Sequence, residues 1–293
     1  MRHPEDDLPG MRPARPGLAA LLTCLAMAGF ASMDAMSKFL VRDYPIIQTL
    51  WVRYAVFAIF ALLVARPRII LRSLRPWLQA GRGVLALIEN GMFVLAFLFL
   101  PLADAHAVAA TAPLLVVVLA IPLLGERVGM HRWLAVLAGL AGVLTIVRPG
   151  LIAPRWALLI PLGGALLWAL YQVLTRLVGL VDRAETTLLW TALSGLAGTT
   201  LIVPWFWVRP TPGAWVLMGG VALLGSLCHY ALIKALDFAE AGAVQPYCYT
   251  LLVWATILGF LVFGDMPDAW TMAGAGVVVL SGLYTWHRDR RGV

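Results

Sequence analysis

LADAHAVA, Leu102 to Ala109, is answered 136 residues later by FAEAGAVQ, Phe238 to Gln245, in an A-[D/E]-A-x-A-V pattern. LLGER, Leu123 to Arg127, is answered at a spacing of 139 by VFGDM, Val262 to Met266, so three residues are added inside the second copy. Trp133 and Gly139 recur as Trp270 and Gly276. Ser37-Lys38 and Thr49-Leu50 recur at a spacing of 138 as Thr175-Arg176 and Thr187-Leu188. One offset, held along the whole chain, describes two copies of one unit.

The medium in which that unit folds follows from composition. Of 293 residues 61% are hydrophobic and 13% charged, and the mean hydropathy is +0.87, more apolar surface than one water-soluble core could hide. Runs long enough to span a bilayer, about 20 residues, fall at Leu18–Leu40, Ile46–Val64, Gly83–Leu100, Ala105–Leu124, Trp133–Val147, Trp156–Leu174, Thr187–Trp207, Trp215–Leu236, Gly242–Phe263 and Trp270–Tyr284. Barrel strands would instead alternate over about 10 residues. The expected fold is therefore all-α and membrane-embedded, with ten transmembrane helices in two five-helix repeats. The expected divisions are a tail over 1–16, repeats over 17–148 and 149–286, and a tail over 287–293.

Charge orients the bundle. With both termini cytoplasmic, sixteen Lys and Arg residues fall in inner segments and five (Lys38, Arg42, Arg148, Arg155, Arg209) in outer ones, leaving Arg53 inside a helix. That bias obeys the positive-inside rule with both termini in the cytoplasm; the expected location is a bacterial inner membrane. Because five is odd, the repeats must cross in opposite senses, the construction of secondary transporters whose substrate site lies at the midplane between halves.

The residues resemble those of the drug/metabolite transporter superfamily, in particular its ten-helix EamA-type exporters. The resemblance rests on MDAMSK (Met33–Lys38), LWVRYAVFA (Leu50–Ala58), ADAHAVAATAP (Ala103–Pro113), LLGER and their second-half counterparts, and covers Leu18 to Tyr284. It implies export of small metabolites, most plausibly amino acids, including aromatic ones as in the aromatic amino-acid exporter branch. The alternative on the same scaffold is import of a vitamin or cofactor such as riboflavin or S-adenosylmethionine. Asp265 stands where the family has glutamate, and no proline matches Pro113.

Site candidates are polar residues at membrane depth, each costing roughly 2.5–3.5 kcal/mol unless paired or wetted. Asp34 and Lys38 share a face of the first span, and Asp34 lies about 9 Å below its outer end, the depth of Arg53 in the next. An ion pair of Asp34 with Arg53 or Lys38 is expected, as a gate or as a structural tie. Glu89 and Asn90 lie inside the third span, where Glu89 either serves a substrate or pairs with Arg82. Thr111 stands beside Pro113. Trp168, Tyr171 and Gln172 stripe the sixth span, and His229, Tyr230, Gln245 and Tyr249 make the eighth and ninth polar. These are the candidate substrate contacts, with packing as the alternative use of each. His106 is expected at the interface. Glycines 139, 142, 274, 276 and 282 are expected to serve close helix contact.

Cys24, Cys228 and Cys248 are read as buried thiols, and no metal site, catalytic residue or cofactor is expected. No GxSxG, Walker sequence or His/Glu metal set occurs, which disfavours an enzyme or an ATP-driven pump. The +7 charge lies in loop clusters without the pattern of a nucleic-acid binder, so the expected partners are lipid and a small molecule. The expected working unit is a monomer, with a dimer as the alternative.

Overall fold

The computed structural model describes residues 15–64, 72–124, 130–147, 156–179, 181–238, 244 and 247–291. They form α1 (Pro16–Asp43), α2 (Ile46–Val64), α3 (Pro76–Ala96), α4 (Leu102–Ala109), α5 (Ala112–Leu124), α6 (Met130–Val147), α7 (Leu159–Gly179), α8 (Ala184–Ile202), α9 (Pro212–Phe238), α10 (Thr250–Phe263) and α11 (Ala269–Arg291). No strand occurs among the described residues. Proline at the first turn starts α1 and α3, where a missing N–H costs nothing. Gly264, at φ 70°, ends α10 in the left-handed conformation that a side chain would disfavour.

Among the described residues six segments are long and apolar enough to span a membrane: Gly17–Asp43, Ile46–Leu63, Leu102–Leu124, Trp156–Gly179, Glu185–Phe206 and Pro212–Leu232. Trp133–Ile146, Thr250–Phe263 and Ala269–Tyr284 are shorter apolar helices. The expected third span begins earlier, at Pro76, because Gln79 and Arg82 find buried partners and need not stay in water. The expected fourth is interrupted at Ala110 and Thr111, where α4 gives way to α5.

Packing follows the repeat. α1 lies along α9 and α7 along α3, two pairs that the offset exchanges, while α2 pairs with α8 and α6 with α11. At the α6–α11 crossing the backbones nearly touch. A Cβ on Gly142 would lie 2.7 Å from the Gly274 carbonyl oxygen, and one on Gly274 would lie 2.6 Å from that of Gly142. Gly276 has nothing within 4 Å of its would-be Cβ, so only part of the glycine set serves contact.

Polar clamps join the two repeats at opposite ends. At one end Asp182 accepts hydrogen bonds from Ser73 Oγ (2.5 Å), the Leu74 N–H (3.1 Å) and Gln79 Nε2 (2.8 Å). At the other, Tyr44 Oη accepts from the Thr211 N–H at 3.2 Å, while Gln48 donates to the Val208 carbonyl (2.8 Å) and accepts from its N–H (2.9 Å). Tyr44 and Asp182 are 138 residues apart, as are Ser73 and Thr211, so the clamps occupy equivalent places in the repeat. Beneath the first clamp the fully buried Arg82 donates to Gln79, Thr175, Thr191 and the Thr187 carbonyl at 2.7–3.1 Å, tying α3 to α7 and α8.

Partial burial opposes ionisation of Asp182. Hydrogen bonds from Ser73, Gln79 and Leu74, with the Arg75 charge, outweigh it and hold this carboxyl below its ordinary value. A depressed folded-state pKa contributes stability that is complete above the unfolded value, about 3.9, and is lost as pH falls through the folded one. Asp182→Asn should therefore unfold at a lower temperature than wild type at neutral pH. The gap should narrow below about pH 4 in a thermal series in detergent, and a gap independent of pH would contradict the assignment. In the same assay Gly274→Leu should lose about 1–3 kcal/mol by overpacking, while Gly276→Ala should be nearly neutral.

A central cavity with a charged wall and an aromatic wall

Between the repeats lies a cavity of about 140 Å³. α1 presents Met27, Phe30 and Asp34, spaced i, i+3 and i+7 on one stripe, with Met33 beside them. α2 contributes Arg53, α3 Glu89, Asn90 and Phe93, and α4 His106. From the second half come Trp168 and Gln172 one turn apart on α7, His229 on α9, and Tyr249 at the start of α10. The break between α4 and α5 brings Ala110 and Ala112 to the wall, and Tyr249 marks a similar turn at the related place in the second copy. A helix broken at membrane depth is tolerated where it lines a cavity.

The wall divides by charge. Asp34, Arg53, Glu89 and His106 all belong to the first repeat. Arg53 donates from Nη1 to Asn90 Oδ1 at 2.5 Å, and its charge also acts on Glu89. Asn90 Nδ2 donates to the Ala86 carbonyl at 2.6 Å, which settles its orientation. The second repeat contributes mainly aromatic and neutral polar groups. Trp168 stacks on Tyr171 with ring centroids 5.3 Å apart and planes 20° apart, and Tyr171 in turn carries the Arg82 guanidinium 4.9 Å from its centroid. The indole is thereby a backed, rigid platform. His229 Nδ1 lies 3.0 Å from the Gly225 carbonyl, an oxygen that can only accept, so this nitrogen carries hydrogen; its ring meets Phe30 edge-on at 4.9 Å.

Of the expected contacts, the cavity therefore gathers Glu89, Asn90, Trp168, Gln172, His229 and Tyr249, with Asp34 and Arg53. Others lie elsewhere. Thr111 is buried and donates to the Val108 carbonyl at 2.8 Å, closing the α4–α5 break. Tyr171 stands behind Trp168. Tyr230 packs on Phe60 at 5.8 Å, against the α2–α8 core. Gln245 lies outside the described residues.

The expected ion pair is corrected. Asp34 meets neither Arg53 nor Lys38 but His106, with Nε2 to Oδ2 at 3.2 Å. Lys38 binds Asp265 of the second repeat at 2.7 Å and lies 4.6 Å from the Phe263 ring centre. Equal depth was an insufficient criterion, because it ignores azimuth: the guanidinium is turned toward Asn90. His106, expected at the interface, is buried, since α4 starts at Leu102 and is enclosed along its length. The sequence carried one hint, in that the position answering His106 in the second copy is Gly242. The Arg82 alternative for Glu89 fails because Arg82 is engaged by α7 and α8.

A family model described as the EamA-like transporter family matches the chain twice, over residues 17–148 and 155–285. A riboflavin transporter of Rhizobium johnstonii is 28% identical over 96% of this chain and 95% of its own. An S-adenosylmethionine uptake transporter of Rickettsia felis is 22% identical over 91% of this chain and 92% of its own. A solved crystal structure superposes with a TM-score of 0.66 at 19% identity, covering 94% of this chain and 98% of that one, and so shares the fold. The names of these relatives overturn the expectation of amino-acid export in favour of the other reading of the scaffold, and none of these matches supports the aromatic amino-acid exporter branch. Two family matches over nearly the whole length, on a two-repeat helical fold with membrane-length helices, establish that the chain is a multi-pass membrane protein belonging to the EamA-like transporter family of the drug/metabolite transporter superfamily.

Proposed function

We propose that this chain is a carrier, not an enzyme, that brings a vitamin or cofactor into the cell across the inner membrane, with riboflavin the foremost candidate. What carries the proposal is full-length similarity to a riboflavin transporter. The cavity supports it chemically. Riboflavin joins a flat tricyclic ring with a hydrogen-bonding edge to a polyhydroxyl tail. Trp168, Phe93 and Phe30 offer apolar faces, and Asn90, Gln172 and Arg53 offer donors and acceptors between them. Pockets that enclose whole drug-sized ligands run to roughly 300–1,000 Å³. At about 140 Å³ this cavity must widen to admit the vitamin, as alternating access between two halves requires.

A second reading has its own support. An S-adenosylmethionine uptake transporter is also among the relatives, and Asp34 and Glu89 give the wall two carboxyl groups that can meet the sulfonium or ammonium of S-adenosylmethionine. In either case we place both termini in the cytoplasm and take a monomer as the working unit.

Purified protein in proteoliposomes should show saturable counterflow of labelled riboflavin. Trp168→Ala should raise the half-saturating concentration about three- to tenfold, the worth of one well-placed aromatic contact. Counterflow of labelled S-adenosylmethionine, with none of riboflavin, would transfer the assignment to the second reading. Counterflow of neither compound would defeat the proposal.

A further inference from the structure

The charged wall holds one pair that the reading above does not use. His106 is 4% exposed, its ring stacked parallel to Phe93 at a centroid distance of 6.1 Å and tilted against Phe97 at 6.0 Å. Its Nε2 faces Asp34 Oδ2 at 3.2 Å, yet neither ring nitrogen has an aligned hydrogen bond. The imidazole packs on two phenyl rings, and its Nε2 has the Asp34 carboxylate as its polar neighbour. The partner it faces is a carboxylate on the cavity wall.

The groups around the pair limit what it can bind. Arg53 from α2, Glu89 from α3, His229 from α9 and Cys248 and Tyr249 just before α10 face the same cavity; Trp168 and Gln172, from α7, do not ionise. Lys38, one turn along α1 from Asp34, is held by Asp265. Asp104 lies two residues from His106 on α4, a spacing that directs it to another face. His229 is committed to the Gly225 carbonyl. Among these groups Asp34 and His106 are the acid and base that face each other directly, so His106 Nε2 is the atom that can hold a proton against the carboxylate.

We propose that the Asp34–His106 pair is a proton-binding site that couples substrate import to the proton gradient. The proton enters from the outer side, resides on His106 Nε2 against Asp34 Oδ2, and leaves to the cytoplasm with the substrate; no bond other than N–H forms or breaks. Asp34 is on α1 and His106 on α4, so the pair bridges two helices at the cavity wall. The proposal rests on the cavity being the substrate site, and its test has one arm that needs no substrate.

In that arm, ring-labelled histidine is followed by NMR in the full-length protein in micelles, with the His106 signal assigned by its loss in His106→Gln. The signal should respond to pH, and that response should change in Asp34→Asn. A signal that does not respond, or a response indifferent to Asp34, overturns the site. In the second arm, proteoliposomes report the ratio of accumulation to counterflow for riboflavin or S-adenosylmethionine with acid outside. That ratio should rise with the gradient in wild type and lose its response in Asp34→Asn and His106→Gln. A wild-type ratio blind to the gradient overturns the coupling. Failure of both compounds to exchange would count against the substrate reading and leave the NMR arm to decide the proton site.

Discussion

A charge inside a bilayer has no water to fall back on, and this fold is arranged around that constraint. Lys38 at 6% exposure, Arg53 at 6%, Arg82 at 0% and Glu89 at 7% sit among helices where hydrocarbon would be the default. Each requires partners supplied by another element, so the helices cannot choose their neighbours freely. Arg82 alone recruits α7 and α8 to α3, with three acceptors from residues distant in sequence. Apolar packing permits many arrangements of similar helices in lipid; buried charge leaves few.

The distribution of these contacts divides the molecule into joints and wall. Contacts near the ends cross between the repeats: Lys38 with Asp265, Asp182 with Ser73 and Gln79, Gln48 with Val208. Those lining the cavity stay within the first repeat: Arg53 with Asn90, Asp34 with His106. The helices of the two repeats interleave, α1 on α9 and α7 on α3, so these contacts fix which helices can be neighbours. The aromatic wall belongs to the second repeat. Trp168 is backed by Tyr171 and Arg82, so its ring stays flat against whatever enters.

Much of this was legible before any coordinates. The period of apolar runs, the offset linking LADAHAVA to FAEAGAVQ and the Lys/Arg bias pointed to a helical membrane protein of two repeats, because those signals are local or additive along the chain. Six of the expected substrate contacts reached the cavity for an equally simple reason: a polar residue in a lipid-length run has to face inward, and inward here is the space between the halves. Tyr171 and Tyr230 shared helices with true wall residues but point elsewhere, since a position in sequence sets depth more firmly than azimuth.

What the sequence determined by itself is the medium, the repeat and the set of residues that could not face lipid, all consequences of transfer free energies and a 3.6-residue period. Which acid meets which base was decided only by the tertiary structure. Asp34 and Arg53 are at matching depth, yet the rotation of α1 and the burial of α4 set the acid against His106, and packing of α3 on α2 set the guanidinium on Asn90. Charge pairing depends on distances of a few ångströms between helices far apart in sequence, and only their packing supplies those.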